Sequence, residues 1–183
     1  MGKFPLREQS IVLIGFMGVG KTTIGKTVAK KLYRDFIDID EEIEKRFKMP
    51  TKDIFRLYGE KTFRNAEKDI ISEICQQRLK VVSLGGGAFL QKEIQEICLN
   101  SSIIFYLDLS WDRWKDRIEL LMESRPVLQG KTMKEMKQLY EDRKPIYEQH
   151  HSRVDTDYHE IEEVADYIAE SLKLAWDIYE PTS

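Results

Sequence analysis

The sequence predicts an α/β fold: a five-stranded parallel sheet with helices packed on both faces. Two observations carry this. Short apolar runs alternate with segments of helical period along the whole chain, the pattern of strand–helix–strand units. The first such run, Ile11-Val12-Leu13-Ile14, feeds directly into a glycine-rich turn and then a helix. A length of 183 residues, 42% of them hydrophobic, suits one domain with a sizeable core.

The elements follow in order. Residues 10–14 form a run suited to a buried parallel strand. A helix is predicted over 21–33, with Ile24, Val28, Ala29 and Leu32 on one face. Residues 36–39 are the second strand, and 41–48 a helix ended by Pro50. Two helices over 53–58 and 62–78 are parted by Gly59. The third strand, 81–84, stops at Gly85-Gly86-Gly87, and Ile94, Ile97 and Cys98 mark a short helix. The fourth strand spans 103–107. Ser110 then caps a helix over 110–122, with Trp114, Ile118 and Leu121 as its apolar stripe. Pro126 and Gly130 make 123–131 a loop. A helix over 132–148 carries Pro145 near its end, 152–156 is the fifth strand, and 161–179 is a closing amphipathic helix. The stretch 1–9 carries no signal. One domain over 1–183 is expected. The excursion of about 41–79, between the second and third strands, is the place for substrate-binding helices.

Composition narrows the function. A formal net charge of −3 gives no basic excess for nucleic acid. No apolar run approaches the roughly 18 residues of a membrane span, and the first ten residues lack a signal-peptide core. Cys75 and Cys98 lack metal-ligand spacing and read as reduced thiols. A soluble, cytoplasmic, monomeric protein is expected. His150, His151 and His159 read as surface residues. Trp111, Trp114 and Trp176 read as helix-packing residues.

The segment GFMGVGKTT, starting at Gly15, fits G-x-x-x-x-G-K-[ST] between a strand and a helix. Glycines let the backbone curl until successive N–H groups face phosphate oxygens. The following helix N-terminus adds its positive dipole end. Gly18, Val19, Gly20, Lys21, Thr22 and Thr23 thus form a candidate triphosphate cradle. Lys21 sits on the β- and γ-phosphates, and the Thr22 hydroxyl on Mg2+. The fold reading sharpens to a P-loop NTPase-type three-layer sandwich.

The acceptor must be sought elsewhere. Asp38 and Asp40 stand at the end of the second strand in FIDIDEE. Alternation on a strand puts both carboxylates on one side; an acidic helix start is the alternative. Arg64 is either a ligand-binding cation or a surface partner of Glu60, Glu67 or Asp69. Phe55 and Phe63 read as core or pocket wall. Gly85, Gly86 and Gly87 bring backbone close to a ligand or make a tight turn. Arg125 in RPVL, Arg143 in R-x-P-x-Y and Arg153 in SRVDT are each weak alone.

In this order, GFMGVGKTT, the Asp38/Asp40 pair, Phe63-Arg64, SLGGGA, RPVL, R-x-P-x-Y and RVDT resemble the shikimate kinase family, from about residue 11 to 172. The wording around WDRWKDRIELL is similar to that of Bacillus-type members. The resemblance implies phosphoryl transfer from ATP, with Mg2+, to the 3-hydroxyl of shikimate, in aromatic amino acid biosynthesis. It implies that Asp38 lies near the metal with Thr22. Asp40 bonds the substrate hydroxyls, as general base or only as orienting group. Arg64 and Arg143 hold the substrate carboxylate, joined by the Gly86 N–H. Arg125 covers the phosphates from a lid of about 123–131, and Lys21, Asp40 and Arg125 are the catalytic set. Arg153 and Arg117 pack near adenine; the departing segment RIELLMESRP leaves Arg113 as the rival of Arg117. Two other readings remain open: a kinase for another hydroxy acid such as gluconate, and a regulatory ATP-binding module without an acceptor.

Overall fold

The computed structural model describes residues 4–118 and 128–181. Five strands, β1 (Ser10–Ile14), β2 (Asp35–Asp38), β3 (Lys80–Ser83), β4 (Ser102–Asp108) and β5 (Ser152–Asp155), form one parallel sheet in the order β2-β3-β1-β4-β5. β1 is central, with Leu13 aligned to Ser83 on one side and to Phe105 on the other. All five of its residues are buried, so helices cover both faces of the sheet there. This is why the run is continuously apolar rather than alternating.

The helices are α1 (Lys21–Lys31), α2 (Ile39–Phe47), α3 (Thr51–Ile74), α4 (Lys92–Ser101), α5 (Trp111–Lys115), α6 (Met133–Arg143) and α7 (Ile161–Tyr179). α1 packs against α7, and α3 against both α2 and α4. Gly59, at φ 80° and ψ 169°, breaks α3 where the sequence parts two helices; a positive φ there suits glycine.

Several expectations need correction. β2 ends at Asp38, which becomes the N-cap of α2, so Asp40 lies in a first helical turn and not on the strand. Lys48, at φ 56°, ends α2, and Pro50 is the N-cap of α3. α3 stops at Ile74, short of residue 78. Pro145 lacks the N–H that an α-helix needs, and 132–148 divides into α6 and a 3-10 turn, Lys144–Glu148. The segment before β1 has structure: a 3-10 turn, Leu6–Glu8, whose Leu6 and Arg7 N–H groups donate to the Glu180 carboxylate at 2.6 and 3.1 Å. Among the described residues, no helix is long and apolar enough to cross a membrane.

Candidate active site

In a parallel sheet the carboxyl ends of all strands lie along one edge, where ligands bind. Here that edge carries the loop after β1, Asp38 at the end of β2, the glycines after β3 and Leu109 after β4. A Cβ at Gly15 would stand 2.6 Å from the Leu107 carbonyl oxygen, so the loop clears β4 only with glycine. Gly20, at φ 104°, is the N-cap of α1. Lys21 is buried, and its Nζ donates to the carbonyl oxygens of Gly15 and Phe16 at 2.7 and 3.0 Å. The lysine thereby lies along the loop it serves. Thr22 Oγ1 donates to Asp38 Oδ2 at 2.7 Å, while Asp38 Oδ1 accepts the Glu41 N–H at 3.2 Å. Met17, Gly18, Gly20, Lys21, Thr22, Thr23 and Asp38 line a cavity of about 270 Å³.

A second cavity, of about 290 Å³, adjoins it and shares Met17, Asp40, Gly85 and Gly86 as a common wall. Arg64, Glu67 and Arg143 add its charge, and Phe55 and Phe63, with ring centroids 4.6 Å apart, its apolar side. The three glycines leave space for three different groups. A Cβ at Gly85 would lie 2.8 Å from Asp40 Oδ1, at Gly86 3.1 Å from the Met17 nitrogen, and at Gly87 2.5 Å from Arg64 Nη2. The triplet is both a tight turn and a close approach.

Arg64 is not a surface arginine: its side chain is only 20% exposed and its partner Glu67 is buried. It faces the cavity, and it pairs with Glu67 at 2.9 Å and with Glu60 at 3.5 Å. Glu67 is fully buried; burial pushes its carboxyl up to about 7, against the pull of Arg64. Gln91 donates to the same Glu67 oxygen at 2.9 Å. Arg143 is buried, its Nε has no hydrogen-bond partner among the described residues, and burial lowers its proton affinity. A buried guanidinium with an unused donor is prepared for an anion. Tyr147 hydrogen-bonds that guanidinium and donates its hydroxyl to the Gly86 carbonyl oxygen at 2.6 Å, and burial raises its phenol to about 12.

The remaining arginines divide. Arg153 pairs with Asp108 and lines a third cavity with His159 and Tyr167, which shares none of its described lining residues with the other two. Arg113 stacks on Tyr158 at 5.1 Å and donates to the Asp157 carbonyl oxygen at 3.1 Å. Arg117 lies two residues past the end of α5, its N–H donating to the Trp114 carbonyl oxygen. Arg125 lies outside the described residues, as does most of the lid segment.

Sequence reasoning missed how Trp114 serves the loop. Its indole Nε1 donates to the Met17 carbonyl oxygen at 2.8 Å, and its ring meets Phe16 edge-on at 5.2 Å. The helical stripe gave Trp114 a packing role only. No sequence signal showed that the packing partner is the phosphate loop itself. Gln91 was missed too, since a lone glutamine in a turn has no signature.

The Thr22–Asp38 pair suits a hard cation that takes oxygen ligands. A glycine-lysine-threonine loop at the head of α1, beside a pocket with two guanidinium groups, fits the class of P-loop kinases.

Comparison with known proteins narrows the class. The family model described as shikimate kinase matches residues 17–173. The shikimate kinase of Bacillus subtilis (strain 168) is 59% identical over 97% of this chain and 96% of its own, and that of Bacillus pumilus (strain SAFR-032) 57% identical over the same shares. The chain belongs to the shikimate kinase family, whose members are ATP-dependent kinases. Among solved structures, a shikimate kinase from Acinetobacter baumannii in complex with shikimate superposes with a TM-score of 0.85 at 30% identity, covering 94% of this chain and 95% of that one. The enzyme from Bacteroides thetaiotaomicron gives 0.82 at 33% identity, covering 91% and 99%.

Proposed function

We propose that the protein transfers the γ-phosphate of ATP to the 3-hydroxyl of shikimate, giving 3-phosphoshikimate and ADP. The observation that carries this is the common wall of Met17, Asp40, Gly85 and Gly86 between the phosphate cavity and the arginine-bearing cavity. A hydroxyl held in one cavity can meet a phosphoryl group held in the other without water between them.

In this reading Arg64 and Arg143 grip the acceptor carboxylate, with planar, charge-assisted hydrogen bonds. The Gly86 N–H completes the grip, Phe55 and Phe63 flank the ring, and Gly85 and Gly87 admit it. Asp40 receives the hydroxyl, orienting it or taking its proton as the oxygen bonds to the γ-phosphorus. The bond from that phosphorus to the β,γ-bridging oxygen breaks, and ADP leaves. Lys21 neutralises charge on the phosphates. Thr22 and Asp38 would hold Mg2+, which neutralises phosphate charge when bound. Arg125 would close over the phosphates from a lid of about 123–131, and Arg153 with Arg117 would border the adenine. The acceptor-binding part is about 41–79 of a single domain, acting as a cytoplasmic monomer without a nucleic-acid or membrane partner.

The test is ADP release from Mg-ATP, with shikimate, with gluconate and with neither. Stimulation by shikimate alone is expected. Stimulation by gluconate alone would transfer the assignment to another hydroxy acid. ATP binding without stimulation by either would point to a regulatory module.

A further inference from the structure

Among the described residues, four ionisable side chains line the acceptor cavity: Arg64 and Arg143 against Asp40 and Glu67. With all four charged, these side chains sum to zero. An acceptor carboxylate adds one negative charge in a space walled by apolar rings, where charge imbalance is poorly screened. Loss of one negative charge among these side chains relieves that imbalance. The geometry points to Glu67: binding of the acceptor carboxylate draws a proton onto its carboxyl, and the acceptor holds best when that carboxyl is neutral. This rests on the reading that the cavity takes a carboxylate acceptor.

Glu67 is the group least able to keep its charge. It is fully buried on α3, and its Oε2 has no hydrogen-bond partner among the described residues. Its other oxygen takes Arg64 at 2.9 Å and Gln91 at 2.9 Å. The charges around it are few. On its own helix Arg64 attracts it, and Glu60 competes for Arg64 at 3.5 Å. Asp40 on α2 repels it. Gln91, before α4, is neutral. Arg143 on α6 faces Arg64 across the cavity. Lys68, next in sequence, is turned to Glu93 at 2.6 Å. Arg64 is thus the main cation holding the Glu67 charge, and it is also a group an acceptor carboxylate would engage. Sharing Arg64 between two carboxylates raises the proton affinity of the buried one. The free-state value near 7 leaves Glu67 poised to respond.

The sign follows from linkage. A group whose proton affinity rises on binding makes binding tighter at low pH. Acceptor affinity is therefore level well below pH 7 and weakens as pH rises through and above it, by at most about tenfold per unit. The acceptor's own carboxyl, of ordinary acidity, stays ionised throughout this range.

The experiment is calorimetric titration of the intact protein with shikimate, between about pH 6 and about pH 8.5, in buffers of different ionisation enthalpy. Expected is net proton uptake that grows above pH 7, with a matching loss of affinity. Glu67→Gln keeps the shape and holds the side chain neutral. It should abolish the uptake and bind as tightly at high pH as the wild type does at low pH. The wild-type proton count stands even if the variant fails to fold. Shikimate binding without uptake and with level affinity would overturn the inference, leaving Glu67 an ionised anchor for Arg64. So would uptake that persists in Glu67→Gln. Failure of the wild type to bind shikimate at any pH would instead overturn the proposed function, and this inference with it.

Discussion

Gly87→Ala tests the acceptor site through a single methyl group. The added Cβ would stand 2.5 Å from Arg64 Nη2 and 3.0 Å from Nη1. Ordinary contact begins near 3.4 Å, so the guanidinium must withdraw by about an ångström. The backbone at Gly87, φ −101° and ψ −8°, accepts alanine without strain. The displaced group is the far end of a flexible side chain, so the fold should survive. What is lost is the alignment of Arg64 on the acceptor carboxylate. A hydrogen bond to a charged partner contributes about 1.5–3 kcal/mol, which corresponds to roughly 10- to 150-fold in kcat/KM. The assay is steady-state kinetics with shikimate varied at saturating Mg-ATP, then the reverse. The shikimate KM should rise while the ATP KM stays within about twofold, since the phosphate cavity does not include Gly87. An unchanged shikimate KM in the folded variant would refute the placement of Arg64 on the acceptor.

Three further outcomes are expected. Lys21→Ala should lower kcat on the order of a thousandfold, because no other lysine among the described residues lines the phosphate cavity; near-normal turnover would remove Lys21 from transfer. Trp114→Phe leaves the Met17 carbonyl without its donor and should cost about 1–3 kcal/mol in urea unfolding while raising the ATP KM; unchanged values of both would free the loop from this anchor. Glu67→Gln should stabilise the fold at high pH. The folded carboxyl titrates near 7, above its unfolded value, so the native state binds more protons between the two and wild-type stability falls as pH rises through that window. The variant should unfold at a higher temperature than the wild type at about pH 8.5 and not at about pH 4, a gain of at most about 3 kcal/mol. A pH-independent difference would contradict the burial penalty.

Much of this was legible before any coordinates. β1, the loop after it and α7 are local in origin: a continuous apolar run, a glycine-lysine-threonine signature and an unbroken 3.6-residue stripe. The order of the strands was not, because parallel pairing joins segments far apart, as β1 with both β3 and β4. Asp40 shows a local failure. Alternation placed it on β2, but Asp38 caps α2 through the Glu41 N–H and turns the chain into a helix one residue later. Both carboxylates still reach the site, each by a different route: Asp38 to Thr22, Asp40 to the space left by Gly85. Glu67 was visible only as a possible surface partner of Arg64. Its burial depends on α4 and Gln91, which no spacing within α3 reveals. Tyr147 was legible as a motif member but not as the donor that fixes Gly86.

The measurement closest to the central claim is a crystal structure with ADP, Mg2+ and shikimate bound together. The account predicts the shikimate carboxylate on Arg64 and Arg143, its 3-hydroxyl at Asp40, and the ADP phosphates along Gly18 to Thr23. A shikimate molecule bound outside the cavity of Arg64 and Arg143, or with its carboxylate turned toward Asp40, would contradict it.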